Sequence, residues 1–185
     1  MFRYCQNMPV TLKVLGFLVA FFLLDPMLLA EENDESYQVA PGDVLTIRVF
    51  GEPDLSFDEV PINPNGILSF PLIGDVKVAG LTTKAIEKEI ERRLADGYLN
   101  KPIVTVSIRR FRNIYIRGEV RKPGAYPYEK GLTVEKAIAM AGGLTPRASK
   151  STITLKREKG RKEIDADMQT PLHPGDIVTI GQSFF

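Results

Sequence analysis

The stretch Pro41-Gly42-Asp43-Val44-Leu45-Thr46-Ile47 recurs near the end of the sequence as Pro174-Gly175-Asp176-Ile177-Val178-Thr179-Ile180. In each copy a proline restricts the turn, and the aspartate side chain can bond local backbone amides. The β-branched run that follows predicts a buried strand. Two copies are too few for a solenoid. We interpret them as one turn geometry that the chain uses twice.

The residues after the first copy predict a compact α+β unit that spans residues 37–111. Short runs rich in β-branched residues, separated by Gly and Pro turns, indicate strands. These runs are 44–50, 67–70, 76–78 and 103–110. A helix is expected to begin near Lys84 with Thr82 or Thr83 as its cap and to end at Gly97. Its apolar stripe is Ile86, Ile90 and Leu94.

The second copy closes a second small unit, which we expect to span residues 112–181. Segments 114–116 and 118–120 predict a strand, and Thr133 is expected to cap a short helix at 134–140. Segments 151–156 and 162–166 predict a hairpin around Gly160. The fold class is therefore α+β, with two small domains in series.

The glycine, proline and asparagine pattern also predicts which residues form structural turns. Glycine and asparagine tolerate positive φ, and proline presets a turn. The expected turn residues are Pro41, Gly42, Asp43, Asn65, Gly66, Gly74, Gly80, Gly118, Pro123, Gly124, Gly142, Gly143, Gly175 and Asp176.

The N-terminus predicts a cleavable signal peptide over residues 1–30, followed by a flexible acidic leader at 31–36. Arg3 and Lys13 precede an apolar run from Val14 to Leu24, which is shorter than the roughly 20 residues that span a bilayer. The alternative is an uncleaved anchor from Val14 through Ala30. Cys5, the only cysteine, precedes the apolar run, so no lipid-accepting cysteine follows it.

The charge balance and the scarcity of reactive side chains exclude several functions. The 185 residues contain 24 Lys and Arg against 23 Asp and Glu, a balance that disfavours nucleic acid as a partner. The only histidine, His173, lies in a turn beside Pro174. We therefore expect no metal, no cofactor and no catalytic residues. The one candidate for acid–base chemistry is a carboxylate cluster, Glu52, Asp54, Asp58 and Glu59.

Several motifs, taken in order, resemble the bacterial polysaccharide biosynthesis/export proteins. In the first unit they are residues 37–45, Val60, 64–68, 70–76 and 78–82. In the second unit they are 118–120, 123–126, Thr133, 137–138, 141–143 and 175–176, which are similar to a soluble-ligand-binding β-grasp (SLBB) domain. The resemblance implies an export domain at 37–111 and one β-grasp domain at 112–181.

The resemblance further implies a subunit of a conduit for capsule or exopolysaccharide, located in the periplasm and associated with the outer membrane. Expected partners are further copies of the chain in a ring and an inner-membrane polysaccharide copolymerase, with polysaccharide as the transported substrate. Because the sequence closes at Phe184-Phe185 without an amphipathic pore helix, a separate outer-membrane pore component is a further candidate partner.

Two other functions remain open at this point. The first is a periplasmic receptor in which the β-grasp domain binds a small soluble ligand, and it would require a deep apolar pocket. The second is a glycan-cleaving enzyme that uses two carboxylates of the Glu52 to Glu59 cluster.

Overall fold

The first part of the chain contains five strands and one α-helix. The computed structural model describes residues 37–157, 160 and 162–183, so the predicted signal peptide (1–30) and leader (31–36) lie outside the described residues. The elements of the first part are β1 Val44–Val49, a 3-10 turn Pro53–Leu55, β2 Phe57–Pro61, β3 Ile67–Phe70, β4 Gly74–Lys77, helix α1 Thr83–Leu94 and β5 Val104–Arg110.

Two antiparallel sheets organise this part: a three-stranded sheet in the order β2-β1-β5 and a separate β3–β4 hairpin. Strand β2 was not predicted, because its sequence FDEVP is charged and contains proline. It forms all the same, since it lies at the sheet edge, where exposed charges and a proline are tolerated.

Helix α1 follows its local signals closely. The Thr82 hydroxyl accepts a hydrogen bond from the Ala85 N–H at 3.3 Å, and the predicted stripe Ile86, Ile90 and Leu94 is fully buried. On the outer face, hydrogen bonds from Arg92 and Arg93 lower the pKa of Glu89 to about 2. The predicted helix, its cap and its buried face are confirmed.

Two glutamates of α1 also bond the free edge of β5. Glu91 Oε1 accepts a hydrogen bond from the Val104 N–H at 2.9 Å, and Glu87 Oε1 accepts one from the Val106 N–H at 3.0 Å. Strand β5 has no strand neighbour on this side, so carboxylates take the place of the carbonyls of a further strand.

The second part is a five-stranded sheet with one helix. Its elements are β6 Ile114–Gly118, β7 Gly124–Tyr126, helix α2 Val134–Met140, β8 Ala148–Lys156, β9 Glu163–Asp165 and β10 Ile177–Gln182. The sheet order is β7-β6-β10-β8-β9, with β10 parallel to β6 and the other pairs antiparallel. Thr133 caps α2 as predicted, and β8 and β9 form the predicted hairpin.

Each part has its own apolar core. Leu45, Ile47 and Leu68 pack with the α1 stripe in the first, whereas Ile114, Leu155 and Ile180 pack with α2 residues in the second. Both parts belong to one compact unit of the chain. The helices and sheets confirm the predicted α+β class. No helix within the described residues is both long and apolar enough to cross a membrane.

One predicted turn lies at a different position. Gly74-Asp75 was expected to form it, but Pro71, Leu72 and Ile73 occupy the tip of the β3–β4 hairpin, and Gly74 already pairs with Phe70. Leu72 adopts φ +68°, an uncommon value for a residue with a branched side chain. Gly124 also differs from the expectation, since it begins strand β7, where it pairs with Ile116.

Candidate functional site at the junction of the two parts

The two Pro-Gly-Asp copies fold into the same turn. Asp43 N–H donates to the Ala40 carbonyl at 3.1 Å, and Asp176 N–H donates to the His173 carbonyl at 3.2 Å. Gly42 and Gly175 take φ +90° and +86°, which a type II turn requires at its third position. Each aspartate also accepts the N–H three residues before it, at 2.8 Å in both turns.

The Asp43 carboxylate lies at the centre of a buried network that ties the first part to Arg112, just after β5. It is fully buried, and it accepts hydrogen bonds from the Tyr37 hydroxyl and the Arg112 N–H, both at 2.8 Å. Arg112 Nη1 lies 3.2 Å from Asp43 Oδ2 and donates to the Tyr37 hydroxyl at 2.6 Å. Tyr37, Asp43 and Arg112 are called the junction network below.

Burial raises the pKa of the Tyr37 hydroxyl well above its usual range, and the Asp43 carboxylate acts in the same direction. The positive charge of Arg112 opposes this effect. The hydroxyl is therefore held in its protonated form, in which it can donate to Asp43. Removing one partner would leave a buried charge without compensation, which typically costs about 3–5 kcal/mol.

The second aspartate has an arginine of its own. Asp176 Oδ2 accepts a hydrogen bond from Arg157 Nη1 at 2.6 Å, and its side chain is 2% exposed. Burial raises the pKa of Asp176, whereas the His173 N–H and the charge of Arg157 act in the opposite direction. The His173 ring also contacts Arg157 Nη1. This arrangement fixes the turn that begins β10.

Both turns contact the linker, residues 111–113, which joins β5 to β6. The first turn does so through Asp43 and Arg112, and the second through a hydrogen bond from the Gly175 N–H to the Asn113 carbonyl at 3.1 Å. The Phe111 ring packs edge to face on Tyr37 at 5.1 Å and on Tyr128 at 5.3 Å. The linker is therefore held by backbone, charged and aromatic contacts from both parts.

A cleft of about 330 Å³ opens beside the linker. We call it the junction cleft. Its lining comprises Pro41, Gly42, Arg110, Phe111, Arg112, Asn113, Tyr115 and Gly175. The two repeated turns thus meet at one surface, together with two arginines, an amide and two aromatic rings. This chemistry suits the binding of a polar or anionic ligand and offers no nucleophile or proton-transfer pair.

None of the other expected turn residues lines the junction cleft. Positive φ occurs at Gly66, Gly74, Gly80, Gly118, Gly142 and Gly143. Asn65 N–H donates to the Asn63 side chain at 3.0 Å, and Pro123 precedes β7. The structure therefore brings together only the residues of the two Pro-Gly-Asp copies.

The carboxylate cluster does not form a convergent site. Glu52 precedes the 3-10 turn, Asp54 lies within it, and Asp58 and Glu59 lie in β2. Asp54, Asp58 and Glu59 are exposed, and Asp58 pairs with Arg48. Among the residues that the structure describes, no group of His, Cys, Asp and Glu could hold a metal ion.

Sequence reasoning missed the partners of the two aspartates. Arg112 is separated from Asp43 by 69 positions, and Arg157 from Asp176 by 19. No local pattern connects residues so far apart. The one available signal was the burial implied for an Asp ahead of an apolar strand, because a buried carboxylate requires a cation or several donors.

Fold and site together define a two-part α+β protein in which a buried ion pair anchors the linker to the first part, beside a cationic cleft. Comparison with known families agrees. Residues 31–109 match the family model described as polysaccharide biosynthesis/export protein, and residues 113–167 match the SLBB domain. The chain belongs to the bacterial polysaccharide biosynthesis/export protein family.

Individual relatives of the chain are also proteins of polysaccharide production, export or transport. The exopolysaccharide production protein ExoF of Rhizobium meliloti is 39% identical over 85 residues, 45% of this chain and 20% of the relative. The EPS I polysaccharide export outer membrane protein EpsA of Ralstonia nicotianae is 30% identical over 173 residues, 78% of this chain and 45% of the relative. The polysialic acid transport protein KpsD of Escherichia coli is 29% identical over 125 residues, 65% of this chain and 22% of the relative. The chain thus spans less than half the length of each.

Proposed function

We propose that this protein is a non-catalytic subunit of a conduit that exports capsule or exopolysaccharide. The names of the relatives include polysaccharide export and polysialic acid transport, and one includes the outer membrane. By analogy, the protein acts in the periplasm in association with the outer membrane. Residues 1–30 direct its export from the cytoplasm, and a mature N-terminus near Glu31 would be visible by mass spectrometry.

The observation that carries this proposal is the junction network. Asp43 belongs to the first part and Arg112 to the linker, and their ion pair is buried, with side chains 0% and 14% exposed. A two-part subunit whose halves keep one orientation can repeat the same contact from copy to copy. A ring closes only when that contact returns on itself after a fixed rotation.

The proposed architecture is an export domain at 37–111 followed by a β-grasp domain at 112–181. The sheet order β7-β6-β10-β8-β9, with a helix packed on the sheet and with β6 parallel to β10, supports the β-grasp assignment. The expected turn residues have a scaffolding role, with the two Pro-Gly-Asp turns holding the linker. Proposed partners are further copies in a ring, an inner-membrane copolymerase and a separate outer-membrane pore component.

The two other functions have less support. A small-ligand receptor requires a deep apolar pocket, whereas the junction cleft is lined by arginines, an amide and an exposed tyrosine. A glycan-cleaving enzyme requires a general acid and a second carboxylate on either side of one bond. The exposed residues Asp54, Asp58 and Glu59 provide no buried site of this kind.

The test combines deletion of the gene with complementation by matched variants. Asp43→Asn removes the buried charge of the junction network, whereas Asp58→Asn removes an exposed charge that pairs with Arg48. We expect the deletion strain to lose secreted polysaccharide, Asp58→Asn to restore it and Asp43→Asn to restore much less. Crosslinking in intact cells should give a ladder of oligomers for the wild type and Asp58→Asn.

Normal secretion by the deletion strain would contradict the export function. A strictly monomeric protein, with and without the copolymerase, would contradict the ring. Thermal unfolding of both variants separates loss of folding from loss of assembly, since Asp43→Asn can act through either.

A further inference from the structure

The junction cleft is cationic. Its lining includes Arg110 and Arg112, and none of the residues described as lining it is acidic. The two arginines are in different situations. Arg112 is held by Asp43 and Tyr37, so its charge is largely compensated. Arg110 is exposed at the end of β5, and the described residues give its side chain no hydrogen bond or ion pair.

Two neighbours complete a set of groups suited to a sugar. Tyr115 on β6 is 49% exposed, and Asn113 is exposed beside it. A tyrosine ring offers an apolar face and a polar tip, and an amide both donates and accepts. A guanidinium binds carboxylate oxygens in a bidentate manner. An apolar ring face, an amide and a free guanidinium together match a sugar ring that carries a carboxylate.

We propose that the junction cleft binds carboxylate-bearing sugar units of the transported polysaccharide. Arg110 binds the carboxylate, Tyr115 packs on the sugar ring and Asn113 bonds a hydroxyl. This inference rests on the proposed export function for its choice of polymer. The junction network fixes Arg112 and the first turn, and the hydrogen bond from the Gly175 N–H to the Asn113 carbonyl holds the second turn against the linker.

Weak binding suits this role. One guanidinium and one aromatic ring give a modest affinity, and transported material must leave each site as readily as it enters. Several copies in a ring would add their weak contacts along one polymer, which raises the overall avidity without a tighter site.

A less specific attraction is the main competing explanation. Between Arg112 and Phe185 the sequence has 13 Lys and Arg against 8 Asp and Glu, so an anionic polymer would be drawn to this part without any defined site. The test must therefore separate Arg110 from a neighbouring charge. Arg109 provides the matched control, because it is an exposed arginine of the same strand that does not line the cleft.

The experiment measures binding of short oligogalacturonate to the purified full-length chain by calorimetry, with its methyl ester as the uncharged ligand of the same sugar. We expect Arg110→Gln to weaken binding by about tenfold or more, the loss of one charge-assisted hydrogen bond. Arg109→Gln should stay within about twofold of the wild type, which is the scale of a screened surface charge. Tyr115→Ala should weaken binding of the acid and of the ester alike.

Equal binding of acid and ester, equal effects of Arg110→Gln and Arg109→Gln, or no binding of the acid would each overturn the inference. The measurement needs neither ring assembly nor export. If the oligogalacturonate does not bind but the deletion strain loses secreted polysaccharide, the proposed function stands and the binding site is refuted. If the oligogalacturonate binds as expected but the deletion strain secretes normally, the export function is refuted and the binding site stands.

Discussion

Glu91 Oε1 on helix α1 accepts a hydrogen bond from the Val104 N–H of β5 at 2.9 Å, at an edge where no strand pairs. Glu87 does the same for Val106, one helical turn earlier. The i, i+4 spacing of the glutamates thus matches the i, i+2 spacing of outward N–H groups on the strand. An edge that could recruit a foreign strand is closed by side chains.

Replacing Glu91 with alanine should therefore destabilise the protein. Val104 is 4% exposed, so its N–H would lose its partner in a buried position, at a cost of roughly 1–3 kcal/mol. Glu91→Gln keeps an acceptor oxygen and should cost less than about 1 kcal/mol. Urea unfolding of both variants provides the comparison, and faster amide exchange at Val104 in Glu91→Ala would locate the effect. Equal stabilities of the two variants would argue against the edge role.

Tyr37 should make the free energy of unfolding depend on pH in the alkaline range. Its pKa is raised in the folded state, chiefly by burial, whereas an unfolded tyrosine ionises near pH 10. Above about pH 10 the unfolded state alone loses this proton, so stability falls as pH rises, by up to about 1.4 kcal/mol per pH unit. Tyr37→Phe should show a shallower decline between about pH 9 and 11.

Tyr98→Phe is the control for that measurement. Tyr98 is 52% exposed, and its hydroxyl makes no hydrogen bond among the described residues. Its variant should follow the wild-type slope. A Tyr37→Phe slope equal to that of the wild type would show that burial of the hydroxyl does not couple to folding.

Gly66 and Gly143 should respond differently to alanine although both have positive φ, +76° and +89°. At Gly143 an added methyl group meets no atom within 4 Å, so only backbone strain of about 1–2 kcal/mol is expected. At Gly66 it would lie 2.4 Å from Ala79 Cβ, which adds roughly 1–3 kcal/mol of overpacking. Thermal unfolding that ranked Gly143→Ala as the worse variant would contradict this reasoning.

Leu72 should be a position where substitution increases stability. It adopts φ +68° at the tip of the β3–β4 hairpin and is 53% exposed, so its side chain gives little burial in return for the strain. Leu72→Asn should gain roughly 0.5–1 kcal/mol, because asparagine tolerates the left-handed region. Leu72→Ala keeps the backbone strain and should show no such gain in urea unfolding. An equal gain in stability for Leu72→Ala would show that relief of backbone strain is not the cause.

The elements predicted correctly are those with local physical signals. The Thr82 and Thr133 caps, the α1 stripe and the strand after each Pro-Gly-Asp turn depend on residues within a few positions of one another. Strand β2 escaped prediction because edge position, not composition, makes it a strand. The hairpin tip at Leu72 was missed because its backbone conformation runs against the preference of its own residue.

Only part of the candidate site could be predicted from the sequence. The two aspartates and their turns could be recognised from the repeat, but the partners Arg112 and Arg157 are brought in by the tertiary fold. Arg110 and Tyr115 line the same cleft because β5 ends and β6 begins on either side of the linker. The two Asp–Arg pairs depend on chain topology, which local patterns do not encode.

The parallel pairing of β10 with β6 has a consequence for modular growth. Both strands start beside the linker, since the Gly175 N–H bonds the Asn113 carbonyl, and they run in register from Tyr115 and Ile177 to Gly118 and Ile180. A polypeptide that continues after Gln182 therefore departs from the end of the sheet opposite to the linker. Extra modules can be appended there, by evolution or by design, without altering any contact that orients the first two.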